Sequence, residues 1–383
     1  MKLTPVTILL MSLAFPAMAS DLPADGYYRV ENFMSHRYVY VLDNHGTIDI
    51  GATSADLKAI ELWKGLDNAI SDPATVLDFT HIQDREYDVT SQGTGIHNII
   101  DYYVRVRAVN SQPDTYLLYA TNSGMTKYLC DGERNESLPE GVLSDNGEGK
   151  WRYWHLDRIA ADSDNYFGIA PDLKATDGSY YAPFYAGFPF SFSSPGMTAY
   201  YVSKVDTQNA IAVISEISGA VPAATPVLIK CGSSLPSANR LNLGGNPSVQ
   251  ISGNCLKGVY FQSDKHLHYN MTAYNSATMR IPAILPDGKP GFVTSDIKYL
   301  PRNKSYLNVP EGSPATLRTM TEKEYDTWLQ NRPPAGIESV TADENVHDIY
   351  NIFGIKVSDT SRHDDLTPGI YIINGRKVII NNR

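Results

Sequence analysis

The chain has 383 residues, with 32 Lys and Arg against 42 Asp and Glu and a net charge of −10. That acidity favours solubility and argues against broad affinity for nucleic acid or anionic lipid, and basic patches are absent from the linear sequence. With 25 tyrosines, 28 glycines and 23 prolines, the composition suits short strands joined by turns and predicts a mainly β protein.

In chain order, Lys2 is followed by an apolar run from Val6 to Ala14 and then by Ala17-Met18-Ala19. Small residues at Ala17 and Ala19 read as a signal-peptide cleavage site, with residues 1–19 removed on export. The apolar run is about half the roughly 20 residues a helix needs to cross a bilayer, so no transmembrane span is expected in the mature chain. What remains is long enough for two or three domains at roughly 100–200 residues each.

Residues 22–160 repeat a strand–turn–strand pattern with a tyrosine near the start of each return strand: Tyr28, Tyr87 and Tyr116. Each polar turn is rich in Asp, Asn, Gly or Pro, and the flanking runs alternate as half-buried strands should. The order strand, Asn32-Phe33-Met34-Ser35, Arg37-Tyr38-Val39-Tyr40-Val41 resembles the opening hairpin of a ricin-like β-trefoil repeat. Thr115 to Leu129 is similar, and Trp151-Arg152-Tyr153-Trp154-His155-Leu156 supplies an aromatic-rich closing strand. The resemblance implies a β-trefoil-like N-terminal domain, with an insertion in its first lobe that carries a short helix over 56–66.

Residues 166–318 use a different vocabulary. Phe184 to Phe190 followed by Gly196-Met197-Thr198-Ala199-Tyr200, then Val221-Pro222-Ala223-Ala224-Thr225-Pro226-Val227-Leu228-Ile229, then Leu300-Pro301-Arg302-Asn303-Lys304-Ser305-Tyr306-Leu307 resemble, in the same order, three motifs of a module found in secreted surface proteins of outer-membrane bacteria. Prolines at strand entries followed by β-branched or aromatic runs suit a β-sandwich or jelly-roll-like middle domain. Residues 321–336 hold a short helix and a Pro-rich linker: Thr321 and Glu324 form a capping box, and Arg332-Pro333-Pro334 stops the helix near Gln330.

From 337 to 383 the chain predicts a short β-module. Asn374-Gly375 between two β-rich runs signals a two-residue hairpin loop. The expected apolar face joins Ile370 and Ile372 to Val378 and Ile380, packed on one strand from Ile349 to Val357. Val346 to Val357 and Leu366 to Ile380 resemble the C-terminal sorting domains of proteins exported by the bacterial type IX secretion system. That resemblance implies export to the cell surface or medium, with the secretion machinery as a partner of the tail.

Local catalytic signatures are missing: no nucleophile elbow, zinc helix, phosphate loop or dinucleotide fingerprint occurs. His266 and His268 share one side of an expected strand, a spacing open to a metal pair but read as a solvated face. Asp162-Ser163-Asp164-Asn165 has the alternating oxygens of a calcium loop and reads as a turn. Carboxylates paired across a glycosidic bond are a matter of spatial separation and stay open, as do Trp63, Trp151 and Trp154 as either core or sugar-stacking groups. For the three cysteines two readings stand: a disulfide between Cys231 and Cys255, or three free thiols, Cys130 included.

The leading functional expectation is a secreted or cell-surface, non-enzymatic binding protein for a glycan or protein ligand, with no cofactor, no metal and no nucleic-acid partner. Ligand contacts are expected at the turns Asp43-Asn44-His45-Gly46 and Asp131-Gly132, which also read as plain turns. Two alternatives are a secreted hydrolase acting on polysaccharide or peptide, and a structural surface-layer component.

Overall fold

The protein is represented by a computed structural model that describes residues 22–41, 60–63, 69–95, 103–122, 125–131, 142–145, 149–247, 251, 253–262, 270–331, 349–358, 366–373 and 376–380. It is mainly β, with 48% strand against 7% helix. Two compact units are present, Met1–Glu322 and Lys323–Arg383. Among the described residues no helix is long and apolar enough to cross a membrane.

The first region of the larger unit contains β1 (Gly26–Asn32), β2 (Tyr38–Val41), β3 (Ile60–Trp63), β4 (Leu77–Gln83), β5 (Glu86–Ser91), β6 (Thr94–Gly95), β7 (Val104–Ala108), β8 (Thr115–Asn122), β9 (Met125–Asp131), β10 (Val142–Asp145) and β11 (Tyr153–Arg158). Six of them close a hydrogen-bonded circuit, β1 to β4 to β5 to β7 to β8 to β11 and back to β1, all antiparallel. The pair β2–β3 extends from β1, β6 from β5, and β9–β10 from β8. Alternation puts every second residue inward, as the buried Tyr87, Val89 and Ser91 of β5 show. Val30, Val39, Leu77, Phe79, Val89, Val104, Leu118 and Leu129 fill the interior so completely that about 10 Å³ remains.

Local chemistry explains the turns of this circuit. The fully buried Asn32 accepts from the Met34 and Ser35 amides at 2.9 and 3.2 Å, an Asx turn that bends β1 into β2. Trp154 on β11 is fully buried and donates through Nε1 to the Leu129 carbonyl at 2.9 Å, tying the closing strand to β9. The helix expected over 56–66 is corrected at its described part. Ile60–Trp63 is a strand because it finds the edge of β2, and pairing with Tyr38–Val41 outweighs helical propensity.

The second region contains β12 (Phe167–Gly168), β13 (Leu173–Lys174), β14 (Tyr180–Phe184), β15 (Phe190–Phe192), β16 (Thr198–Asp206), β17 (Ile211–Glu216), β18 (Val227–Cys231), β19 (Arg240–Leu243), β20 (Leu256–Val259), β21 (Met279–Ile284), β22 (Pro290–Val293), β23 (Lys304–Asn308) and β24 (Thr316–Thr321). Ten strands form one mixed sheet in the order β13-β14-β18-β16-β17-β24-β22-β21-β23-β20, where β17 and β24 run parallel; β12, β19 and β15 form a second, small sheet. Pro226 stands just before β18, so its missing N–H costs no ladder bond, and the strand then runs buried between β14 and β16. Phe167, Phe184, Phe188 and Phe190 pack edge to face or tilted, with ring centres 5.4 to 6.1 Å apart.

Helix α1 (Glu322–Gln330) follows Thr321 directly and ends where the Asn331-Arg332-Pro333 sequence stops it. In the smaller unit, β25 (Ile349–Asn351), β26 (Lys356–Ser358), β27 (Gly369–Ile373) and β28 (Arg376–Ile380) form a sheet in the order β26-β25-β27-β28. Two expectations are corrected here. Residues 349–357 are a hairpin and not one strand, because Asn351 accepts from the Phe353 and Ile355 amides and Gly354 adopts φ +76°. Ile373 opposite Arg376 sets Tyr371 against Val378 and Ile370 against Ile379, so the buried face is Tyr371 and Ile373 with Ile349 and Val378, while Ile370 and Ile379 point outward. A two-residue loop joins odd to even positions, and a one-residue slip turns every side chain over.

That register has a direct test. Tyr371→Ser and Ile373→Ser should each cost the tail sheet about 2–4 kcal/mol, whereas Ile370→Ser and Ile379→Ser should stay within about 0.5 kcal/mol. Amide hydrogen exchange over 349–380 reads the difference; equal protection loss in both pairs would refute the register.

Candidate functional site

Several residues singled out in the sequence lie outside the described residues: Ala17, Ala19, Asp43, Asn44, His45, His266 and His268. Asp131 is described, and the expectation of a ligand contact there is corrected. It is fully buried at the end of β9, and its carboxylate is taken up by the Arg37 guanidinium and the Ser35 hydroxyl. A buried, paired carboxylate is a structural group. The Cys231–Cys255 disulfide is also corrected, since all three cysteines are free thiols. Cys231 lies in the core beside β14 and its Sγ donates to Ile229 O, whereas Cys255 packs against a different core cluster around Leu256 and Phe292. Asp162–Asn165 is a turn in which Asn165 bonds the Asp157 and Arg158 carbonyls. Among the described residues no three His, Cys, Asp or Glu side chains converge as a metal site.

The structure instead builds a cleft around the Leu300–Leu307 motif. Two adjoining cavities share Asp172, Pro183 and Lys304. One, of about 350 Å³, is walled by Ile281, Pro282, Leu300, Pro301, Tyr299 and Tyr306. The other, of about 250 Å³, is lined by Ser71, Asp72, Arg302 and Asn303. Lys304 at the start of β23 lines both, with Arg302 and Asn303 before it on the polar cavity and Ser305 and Tyr306 after it on the apolar one.

Charges in the cleft are matched in pairs. Lys304 Nζ lies 2.6 Å from Asp172 Oδ2, and Arg302 makes a two-pronged contact with Asp72, which itself caps the short turn Pro73–Thr75 by accepting from Ala74 N at 3.0 Å. Two polar atoms are not matched. Ser71 Oγ and Asn303 Oδ1 are buried, belong to residues lining the polar cavity, and have no protein partner. Buried polar atoms are paired nine times in ten or more, so these two are exceptions among the residues of the polar cavity wall. Near the cleft, burial pushes the Cys231 thiol up to about 12, with the Asp172 charge adding to the effect, so it stays protonated and unreactive at neutral pH.

A second cluster sits on the outer face of β1, β2 and β11. Opposed register places Arg29, Glu31, Tyr38, His155 and Asp157 on that face. Tyr38 Oη donates to Glu31 Oε2 at 3.3 Å, and His36 Nδ1 lies 2.7 Å from Glu31 Oε1. Burial, then the Glu31 charge and a hydrogen bond to it, push the Asp157 carboxyl up to about 6.

Trp154 belongs to the barrel core, Trp151 is half-buried with its carbonyl held by Asn32, and the Trp63 side chain lies outside the described residues. The cleft residues Ser71, Asp72 and Asp172 carried no sequence signal, because they come from connecting segments in two different regions. Compared with known proteins, the chain matches no protein-family model and no curated protein.

The Asp157 carboxyl sets a pH dependence. Asp157 has a folded pKa raised above its unfolded value, so the folded state binds the proton more tightly and this group's penalty, full above about pH 6, disappears as pH falls toward about 4. Asp157→Asn removes that contribution. The melting temperature of the variant relative to wild type should therefore be higher at pH 7.5 than at pH 5; a difference independent of pH would contradict the raised Asp157 pKa.

Proposed function

We propose that the chain is a secreted, non-enzymatic binding protein whose ligand is a glycan held in the cleft around Leu300–Leu307. The carrying observation is the cleft itself, a polar cavity lined by Ser71, Asp72, Arg302 and Asn303 that adjoins an apolar one with two tyrosines. A sugar presents hydroxyls on its rim and C–H groups on its ring face, so it suits a half-polar, half-apolar cleft. Pairwise neutralisation of Lys304 by Asp172 and Arg302 by Asp72 suits a neutral ligand, and the raised Cys231 thiol is not a nucleophile for the hydrolase reading. A trefoil-like reading of the first region is supported by the closed six-strand circuit with an additional strand or strand pair on each third.

Ser71→Ala separates binding from folding. Removing an unpaired buried hydroxyl should leave stability unchanged or slightly raised, while affinity for the glycan selected on an array should fall about tenfold, as should that of Tyr299→Ala, each near 1.4 kcal/mol. Calorimetric titration reads both; unchanged affinity in both variants would place the ligand elsewhere.

Export through the tail is part of the same proposal, on the strength of the two strand motifs and their pairing in one small sheet. Deleting residues 336–383 should leave signal-dependent passage across the inner membrane intact and collect the protein in the periplasm. Cell fractionation that finds the truncated chain outside at the full-length level would reduce the tail to a structural domain.

A further inference from the structure

A basic groove forms in three dimensions although the sequence holds no basic run. Arg85 from the β4–β5 turn, Arg107 from the end of β7 and Arg152 just before β11 line one groove of about 650 Å³ on the first region. None of its lining residues is acidic, in a chain whose net charge is −10. Arg85 and Arg107 are exposed. Two of the guanidinium groups are laid against aromatic rings, Arg107 over Tyr119 at 5.6 Å and Arg152 over Tyr128 at 4.8 Å. For the exposed Arg107, stacking of that kind orients a planar fork while leaving its N–H edge able to donate.

Between the arginines the groove offers Asn110, Ser111 and Tyr153. We propose that this groove is a second binding site, separate from the Leu300–Leu307 cleft, and that it takes an anionic saccharide: a sugar bearing sulfate, phosphate or carboxylate groups. Guanidinium forks grip such oxyanions two oxygens at a time, and the amide and hydroxyl groups between them match sugar hydroxyls. The volume falls within the range of pockets that enclose small ligands.

Isothermal titration of the full chain with three probes tests the site: a sulfated disaccharide, a uronic-acid disaccharide and the neutral parent disaccharide, with inorganic sulfate and a nucleoside triphosphate as competitors. At least one anionic disaccharide should bind and the neutral parent should not. Arg85→Gln and Arg107→Gln, exposed positions whose replacement leaves the barrel core untouched, should each weaken it about tenfold or more, and the double variant should abolish it. Ser71→Ala should leave this binding unchanged, which separates failure of this site from failure of the cleft. Raising NaCl from about 50 to about 500 mM should weaken it further, as screening requires. The proposal is overturned if neither anionic sugar binds at low salt, if the double variant binds as wild type with an unchanged melting temperature, or if sulfate or the nucleotide competes as well as the sugar.

Discussion

Arg29 is the group on which the larger unit depends. Its guanidinium is fully buried, and taking such a charge from water costs several kcal/mol unless its donors are satisfied. They are: Thr75 Oγ1 at 3.3 Å, Asn165 Oδ1, and the carbonyls of Tyr166, Ala69 and Ile70 at 2.9, 3.3 and 3.2 Å, with the Phe167 ring 5.9 Å away. Burial lowers its pKa to about 10, a shift opposed by Tyr38, Asp72 and Asp157, so the group is charged at neutral pH. One strand of the barrel is thereby tied both to the 69–75 turn and to the first strand of the second region.

The cleft inherits its shape from that knot. The turn held by Arg29 carries Ser71 and Asp72, and Asp72 in turn holds Arg302. On the other flank Asn303 bonds Gln92 and the Tyr185 carbonyl, and the backbone of Gly187 comes so near Gln92 that a Cβ there would lie 2.6 Å from its Cα. Two regions with unlike strand patterns meet with buried polar groups between them. Sheet pairing does not satisfy every donor and acceptor in such a seam, and Ser71 Oγ, Gln92 Nε2 and Asn303 Oδ1 stay without a protein partner there.

Part of this was legible in residue order. The Asn32 turn, the aromatic closing strand at 153–158, Pro226 ahead of β18, the short helix ending at Gln330 and the hairpin of β27 and β28 all rest on interactions within a few residues, and local chemistry is enough to specify those. The errors have one origin. Ile60–Trp63 was decided by the edge of β2, Asp131 by Arg37 far away in the chain, and the buried face of the tail hairpin by pairing parity; the arginine groove joins residues from three separate turns and strands.

By itself the sequence determined that this is a mainly β protein and where many of its turns fall, because backbone φ preferences and two-residue alternation act locally. Only the tertiary structure decided which charges are buried and matched, that the cysteines stay apart, and that Ser71, Asp172, Tyr299 and Asn303 line one cleft. Those outcomes depend on distances between segments that chain order leaves free, and on the demand that each buried polar group find a partner wherever the fold happens to place one.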